Sequence, residues 1–93
     1  MMKKRLQIEV VGRVQGVWFR AHAREEAERL GLTGKVWNAA DGSVSIIAEG
    51  EQTQLERLLS WCRRGPTLAL VTDVVFSWHD FAGEFDRFAI AYD

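Results

Sequence analysis

The chain has 93 residues, of which 47% are hydrophobic and 11% aromatic, and this is enough for one small domain with a single packed core. Its formal net charge of −1 argues against a broad positive surface for nucleic acid or an anionic membrane, so any anion has to be bound locally. One cysteine and two histidines cannot supply an internal disulfide or a closed zinc site, and we expect no metal.

The first third of the chain predicts a strand followed by a helix. Leu6, Ile8 and Val10 alternate with polar residues and predict a half-buried strand that ends at Gly12. Apolar residues at helical spacing then predict a helix over residues 19–30, with Gly31 at its C-terminal cap.

The next segment predicts a β-hairpin. Residues 32–40 and 43–49 have the pattern of strands, and Asp41-Gly42 between them is a strong hairpin signal. The chain has no apolar run of membrane-spanning length, and its lysine-rich start leads into a strand rather than a signal peptide. We therefore expect a cytoplasmic protein that does not bind a membrane.

The last part of the chain predicts a second helix and two more strands. Thr53 and Glu56 have the spacing of a capping box, and Gly65-Pro66 ends the helical pattern. Alternating apolar residues predict strands over 74–79 and 88–92. This order of elements predicts an α+β sandwich, in which about five strands form a mainly antiparallel sheet with both helices on one face.

The glycine loop between the first strand and the first helix is a candidate anion site. Gly12 and Gly16 permit positive φ, so the amides between them can form a concave nest that leads to a helix N-terminus. Arg20 in the first helical turn opposes the helix dipole unless an anion is bound there, and its guanidinium can hold two phosphate oxygens. The alternative is a simple turn followed by a solvated arginine. A Walker A lysine and a G-x-G-x-x-G spacing are both absent from the sequence.

Asn38 is a second candidate for this site. If the first helix is a crossover between parallel strands, the strand that carries Asn38 ends at the same sheet edge as the glycine loop. Beside a bound phosphate its amide could hold a water molecule. Taken alone, an asparagine before Asp41-Gly42 is more often a turn former.

Two stretches of the sequence resemble the signatures of the acylphosphatases, small enzymes that hydrolyse the carboxyl–phosphate bond. The segment VVGRVQGVWFR, residues 10–20, agrees with the first signature at every specified position, and GKVWNAADGSVSIIAEG, residues 34–50, agrees in part with the second. The resemblance covers nearly the whole chain. It implies that residues 1–93 form a single acylphosphatase-like domain with a ferredoxin-like sandwich fold.

The resemblance also implies roles for individual residues. Arg20 would bind the phosphate together with the backbone amides of the loop, which are those of Gln15, Gly16, Val17, Trp18, Phe19 and Arg20. Asn38 would orient the attacking water. The implied enzyme is a monomer that uses neither a cofactor nor a metal, takes a small acyl phosphate as substrate and releases inorganic phosphate.

The second signature contains two departures from the family pattern. Lys35 stands where an aromatic residue is usual, and Trp37 stands where a small or basic residue is usual. Strand alternation places both on the face opposite to Val36 and Asn38, so we expect Asn38 to keep its direction. Ala91 stands where the family often has a basic residue, which puts a salt link near the chain end in doubt.

Other residues have simpler interpretations. We expect His22 and His79 at the surface, Cys62 in the core and Trp18 at the rim of the glycine loop. Two rival functions stay open at this point. One is a non-catalytic anion-binding or regulatory module that keeps the loop, and the other is an RNA-binding sheet, which the charge balance and the missing aromatic motif disfavour.

Overall fold

A computed structural model describes residues 2–92 of the chain, and its elements follow the predicted order. The elements are β1 (Lys3–Arg13), α1 (Phe19–Arg29), β2 (Thr33–Asn38), β3 (Val44–Glu51), α2 (Gln52–Cys62), β4 (Leu70–Asp80) and β5 (Phe88–Ile90). β1 and β4 are longer than predicted, and β5 is shorter.

The five strands form one sheet in the order β4-β1-β3-β2-β5. β3 pairs antiparallel with both β1 and β2, so β1 and β2 run parallel to each other and end at the same edge of the sheet. β5 pairs in parallel with β2, which makes the sheet mixed. The predicted α+β sandwich with a mainly antiparallel sheet is confirmed, and its topology is ferredoxin-like.

The core lies between the helices and one face of the sheet. Leu6, Ile8 and Val10 of β1 are buried, as the alternation predicted, and these side chains join the apolar faces of α1 and α2 in one cluster. Cys62 belongs to this cluster, and its burial raises the pKa of the thiol. The expectation of a buried cysteine is therefore confirmed.

α1 ends in a glycine cap. Gly31 follows α1 with a φ of 72°, and the amides of Gly31 and Leu32 donate to the carbonyls of Glu28 and Ala27 over 3.0 and 2.9 Å, which is a Schellman motif. The predicted cap of α1 is confirmed.

The predicted capping box of α2 is wrong. The helix begins at Gln52, Glu51 occupies the N-cap position, and no side-chain cap bond forms. The Gln52 amide donates instead to the Met2 carbonyl over 2.9 Å. Glu51 is the last residue of β3 and still pairs with Lys3 in the sheet. The helix therefore begins directly after the strand, at Gln52, and not after Thr53 as the capping box predicted.

The two loop glycines have positive φ for different reasons. Gly12 (φ 135°) lies inside β1, at a bulge against β4, and a Cβ there would lie 2.1 Å from the Leu70 carbonyl oxygen. Its conformation therefore serves strand pairing rather than an anion nest. Gly16 (φ 74°) lies in the loop itself, where a Cβ would meet nothing within 4 Å, so only the backbone angle favours glycine there.

Candidate active site

The loop between β1 and α1 is held at both ends by buried side chains. Val14 at its start and Phe19 at its end are both about 1% exposed. The Phe19 ring also meets the Trp61 ring edge to face, with 5.2 Å between centroids. These two anchors fix the span in which residues 15–18 must turn.

Gln15 ties the loop to the hairpin between β2 and β3. Its Nε2 donates to the carbonyls of Ala39 and Ser43 over 2.8 and 2.9 Å. This side chain is a brace between the two segments that carry the candidate residues. The sequence pointed only to the backbone amide of Gln15, because nothing local indicates a side-chain bond to residues 24 and 28 positions away.

A cavity of about 240 Å³ lies at the N-terminus of α1. Of the seven residues predicted for the site, Gly16, Trp18, Phe19, Arg20 and Asn38 line it. Gln15 does not, and Val17 packs against the core. The structure thus brings Arg20 and Asn38 to one cavity although they come from different elements.

The start of α1 is positively polarised. Trp18 is its N-cap residue and makes no side-chain cap bond, and the first turn contains no acidic residue. Residues 15–18 form a turn, and within residues 2–92 the amides of residues 15–20 have no close backbone acceptor. The first amide of the helix with one is that of His22, which donates to the Trp18 carbonyl over 3.1 Å. Unpaired amides at a helix N-terminus attract anions.

Arg20 adds a full positive charge to this end of the helix. Its guanidinium carbon lies 5.0 Å from the centroid of the Tyr92 ring, a cation–π distance. Among residues 2–92 it has no ion pair with a carboxylate. Its donors are thus available to an anion in the cavity.

Asn38 is the last residue of β2 and lies on the same face as the buried Val36, as predicted. Its Oδ1 is buried and has no hydrogen-bond partner in the part of the chain that the structure describes. The turn after β2 is held by Asp41 instead, whose Oδ1 accepts from the amide and the hydroxyl of Ser43 over 3.0 and 2.6 Å. These two bonds lower the pKa of Asp41, and the bond from the Ser43 hydroxyl has the larger effect. The turn-former interpretation of Asn38 is therefore wrong.

The two departures from the family pattern lie away from the cavity. Lys35 Nζ lies 5.0 Å from the centroid of the Trp37 ring, so the two side chains pack together. Neither residue lines the cavity. Asn38, on the other face of β2, does line it.

Four lining residues were absent from the site predicted from the sequence. Val14 and Ala21 adjoin the predicted loop, whereas Ile90 and Tyr92 come from the end of the chain. Their alternation indicated only a strand. They reach the cavity because β5 pairs with β2, where the Ala91 amide donates to the Val36 carbonyl over 2.9 Å. This pairing joins residues more than fifty positions apart, and no local pattern encodes it.

The histidines are at the surface, as expected. His22 and His79 are exposed, and a ring nitrogen of His79 lies 2.8 Å from the Ser77 hydroxyl. Neither lines the cavity.

Within residues 2–92, no helix is long and apolar enough to cross a membrane.

The fold and the cavity together define a ferredoxin-like domain with a candidate anion site at a loop–helix junction. The family model for acylphosphatases matches residues 6–90. A curated acylphosphatase of Methylococcus capsulatus is 50% identical to the chain, covering 97% of this chain and 98% of the relative.

Solved structures give the same result. The crystal structure of acylphosphatase from Bacillus subtilis superposes with a TM-score of 0.92 at 36% identity and covers 96% of this chain and 99% of its own. An acylphosphatase from Coxiella burnetii superposes with a TM-score of 0.91 at 33% identity, over 97% and 94% of the two chains. The chain therefore belongs to the acylphosphatase family of enzymes.

Proposed function

We propose that this enzyme hydrolyses the carboxyl–phosphate bond of small acyl phosphates and releases a carboxylate and inorganic phosphate. One observation carries the proposal: Arg20 and Asn38, from two separate elements, line one cavity beside a helix N-terminus. The family to which the chain belongs supports the same reaction.

In this proposal Arg20 and the amides of residues 15–20 bind the phosphoryl group. The guanidinium donates two parallel bonds to phosphoryl oxygens, and the amides supply further donors that already lack protein partners. These groups stabilise the negative charge of the transition state without having to reorganise. They provide the positive charge that the reaction needs, and we therefore infer a reaction that is independent of metal ions.

Asn38 orients the attacking water. Its unpartnered Oδ1 accepts a hydrogen bond from a water molecule and directs the oxygen lone pair towards phosphorus. The new P–O bond forms as the bond to the acyl oxygen breaks, and the bonding electrons leave with the carboxylate. The protons of the water pass to the released phosphate and to solvent. A carboxylate is a good leaving group, so the step needs no general acid.

We further propose that the enzyme acts as a monomer in the cytoplasm. One chain supplies every residue that lines the cavity. A buried, reduced Cys62 is compatible with a reducing compartment. Size-exclusion chromatography tests the monomer, and a dimer that loses activity on dilution would contradict it.

The direct experiment is phosphate release from acetyl phosphate by the purified protein in buffer with EDTA. We expect turnover that EDTA does not reduce. A folded protein that binds inorganic phosphate but releases none would instead be a non-catalytic anion-binding module. Activity that disappears with EDTA and returns with a divalent cation would contradict the metal-independent mechanism.

A further inference from the structure

Trp18 has a conformation that a tryptophan adopts only at a cost. Its φ of 67° and ψ of 21° are left-handed, and no other non-glycine residue in the described part of the chain has a positive φ. Such a conformation is an outlier for a bulky residue and costs on the order of 1 kcal/mol. Glycine or asparagine would adopt it at lower cost. The side chain must therefore be retained for another reason.

The usual structural reasons do not apply to Trp18. Its side chain is 71% exposed and is not part of the core cluster. It occupies the N-cap position of α1 but makes no capping bond, as serine or aspartate would. Strained residues without a packing role occur mainly at ligand-binding positions.

The location of Trp18 indicates which ligand group it meets. Trp18 lines the cavity that also contains Arg20 and Asn38, and it borders a second cavity together with Trp61, Pro66 and Leu68. Tyr92, 77% exposed, lines the first cavity. A water molecule takes about 30 Å³ of liquid volume. The cavity, at about 240 Å³, is several times larger than one water molecule and has room for a substrate group beside the phosphate.

The proposed reaction places the acyl group at this exposed rim. Attacking and leaving oxygens lie roughly in line through phosphorus. The water lies on the side of Asn38, whose Oδ1 is buried. The acyl group therefore leaves on the opposite, solvent side, where the exposed rings of Trp18 and Tyr92 lie.

We propose that the indole of Trp18 is the contact surface for the acyl group and makes the enzyme favour flat aromatic acyl phosphates over small aliphatic ones. The Tyr92 ring packs over the Arg20 guanidinium, which leaves the indole of Trp18 as the ring available to the acyl group. This inference rests on the proposed function. A planar acyl group can stack on the indole ring, whereas an acetyl group is too small to cover it.

The test compares kcat/KM for benzoyl phosphate and acetyl phosphate in wild type, Trp18→Gly and Trp18→Asn. Both substitutions remove the ring and tolerate the left-handed conformation. We expect the benzoyl-to-acetyl ratio to fall about fivefold in both variants, as expected for one aromatic contact. Trp18→Phe should keep most of the ratio. Trp78→Ala, which removes a partly exposed ring outside the cavity, should leave the ratio unchanged.

The outcomes separate this inference from the proposed function. A wild type that hydrolyses acetyl phosphate while the ratio is unaltered in both ring-deletion variants overturns the role of Trp18 alone. A wild type that hydrolyses neither substrate overturns the proposed function. If both variants fail to fold by circular dichroism, wild-type inhibition constants decide: phenylphosphonate should bind several-fold more tightly than methylphosphonate, and equal affinities overturn the inference.

Discussion

Two segments of this molecule present clusters of backbone amides, and they differ in what satisfies them. The amides of Ala82, Gly83 and Glu84 donate to the carboxylate of Glu49 over 2.8 to 3.3 Å. Those of residues 15–20 have no acceptor within residues 2–92. The first cluster holds an anion that belongs to the protein, whereas the second is free to hold one from solution.

The carboxylate of Glu49, bound by the amides of residues 82–84, holds a loop of the fold in place. β4 and β5 lie at opposite edges of the sheet, so the chain between them has to cross it. Glu49 is 1% exposed and also lies 3.9 Å from Arg5, which pairs with Glu84. A buried carboxylate that accepts several bonds holds this crossing in place. The fold thus fills the amide cluster of residues 82–84 with its own carboxylate, whereas the amides of residues 15–20 form the cluster for which we propose a phosphate ligand.

The largest effect is expected from Arg20→Lys. This substitution keeps the positive charge beside the amides of residues 15–20 but removes the forked guanidinium, which can donate two parallel hydrogen bonds. Turnover of acetyl phosphate should fall about a thousandfold, because lysine cannot hold two phosphoryl oxygens in one plane. Steady-state kinetics measure the loss. Arg24→Lys, on the exposed side of the same helix in a pair with Glu28, is the matched control and should retain activity. Wild-type rates in Arg20→Lys would remove the fork from the mechanism.

Asn38→Ala should separate phosphate binding from turnover at the site formed by the amides of residues 15–20. We expect kcat to fall about a hundredfold, since the water loses its orienting acceptor, while the inhibition constant of inorganic phosphate changes less than about threefold. Lys35→Ala, on the opposite face of the same strand, is the control. An equal loss of phosphate affinity and rate would instead make Asn38 a phosphate ligand or a structural residue.

Glu49→Gln tests whether the carboxylate bound by the amides of residues 82–84 stabilises the fold. The variant retains one acceptor oxygen but loses the charge, so the free energy of unfolding should fall by about 2 kcal/mol. Urea denaturation measures this, with Glu9→Gln as a control on an exposed position of β1. Stability equal to wild type would mean that the carboxylate does not hold the crossing.

The smallest effect concerns Asp41 in the turn after Asn38. Because bonds from Ser43 lower the pKa of Asp41 in the folded protein, they stabilise the fold at pH values above the unfolded pKa. This contribution is lost as the pH falls through the lower folded pKa. In Ser43→Ala the NMR titration of Asp41 should move to higher pH, because the main cause of the shift is gone. An unchanged titration would assign the shift to another group.

Much of the site followed from local patterns. The VQGVWFR segment and a helix that begins at Phe19 predicted where an anion would meet Arg20, and parallel β1 and β2 predicted that Asn38 approaches the loop. Long-range contacts were missed. Gln15 braces the hairpin, Tyr92 covers Arg20, and Glu49 anchors residues 82–84 through contacts that span 24 to 72 positions.

The sequence by itself determined the identity and order of the elements, the buried faces of β1 and of the two helices, and the acylphosphatase signature, because periodicity and turn residues act over a few positions. Tertiary structure decided which residue satisfies which buried polar group: the bulge at Gly12, the start of α2 at Gln52, the burial of Glu49 and the arrival of Tyr92 at the cavity. The reason is physical. Strand register and edge pairing depend on the burial of the whole sheet, and no single segment contains that information.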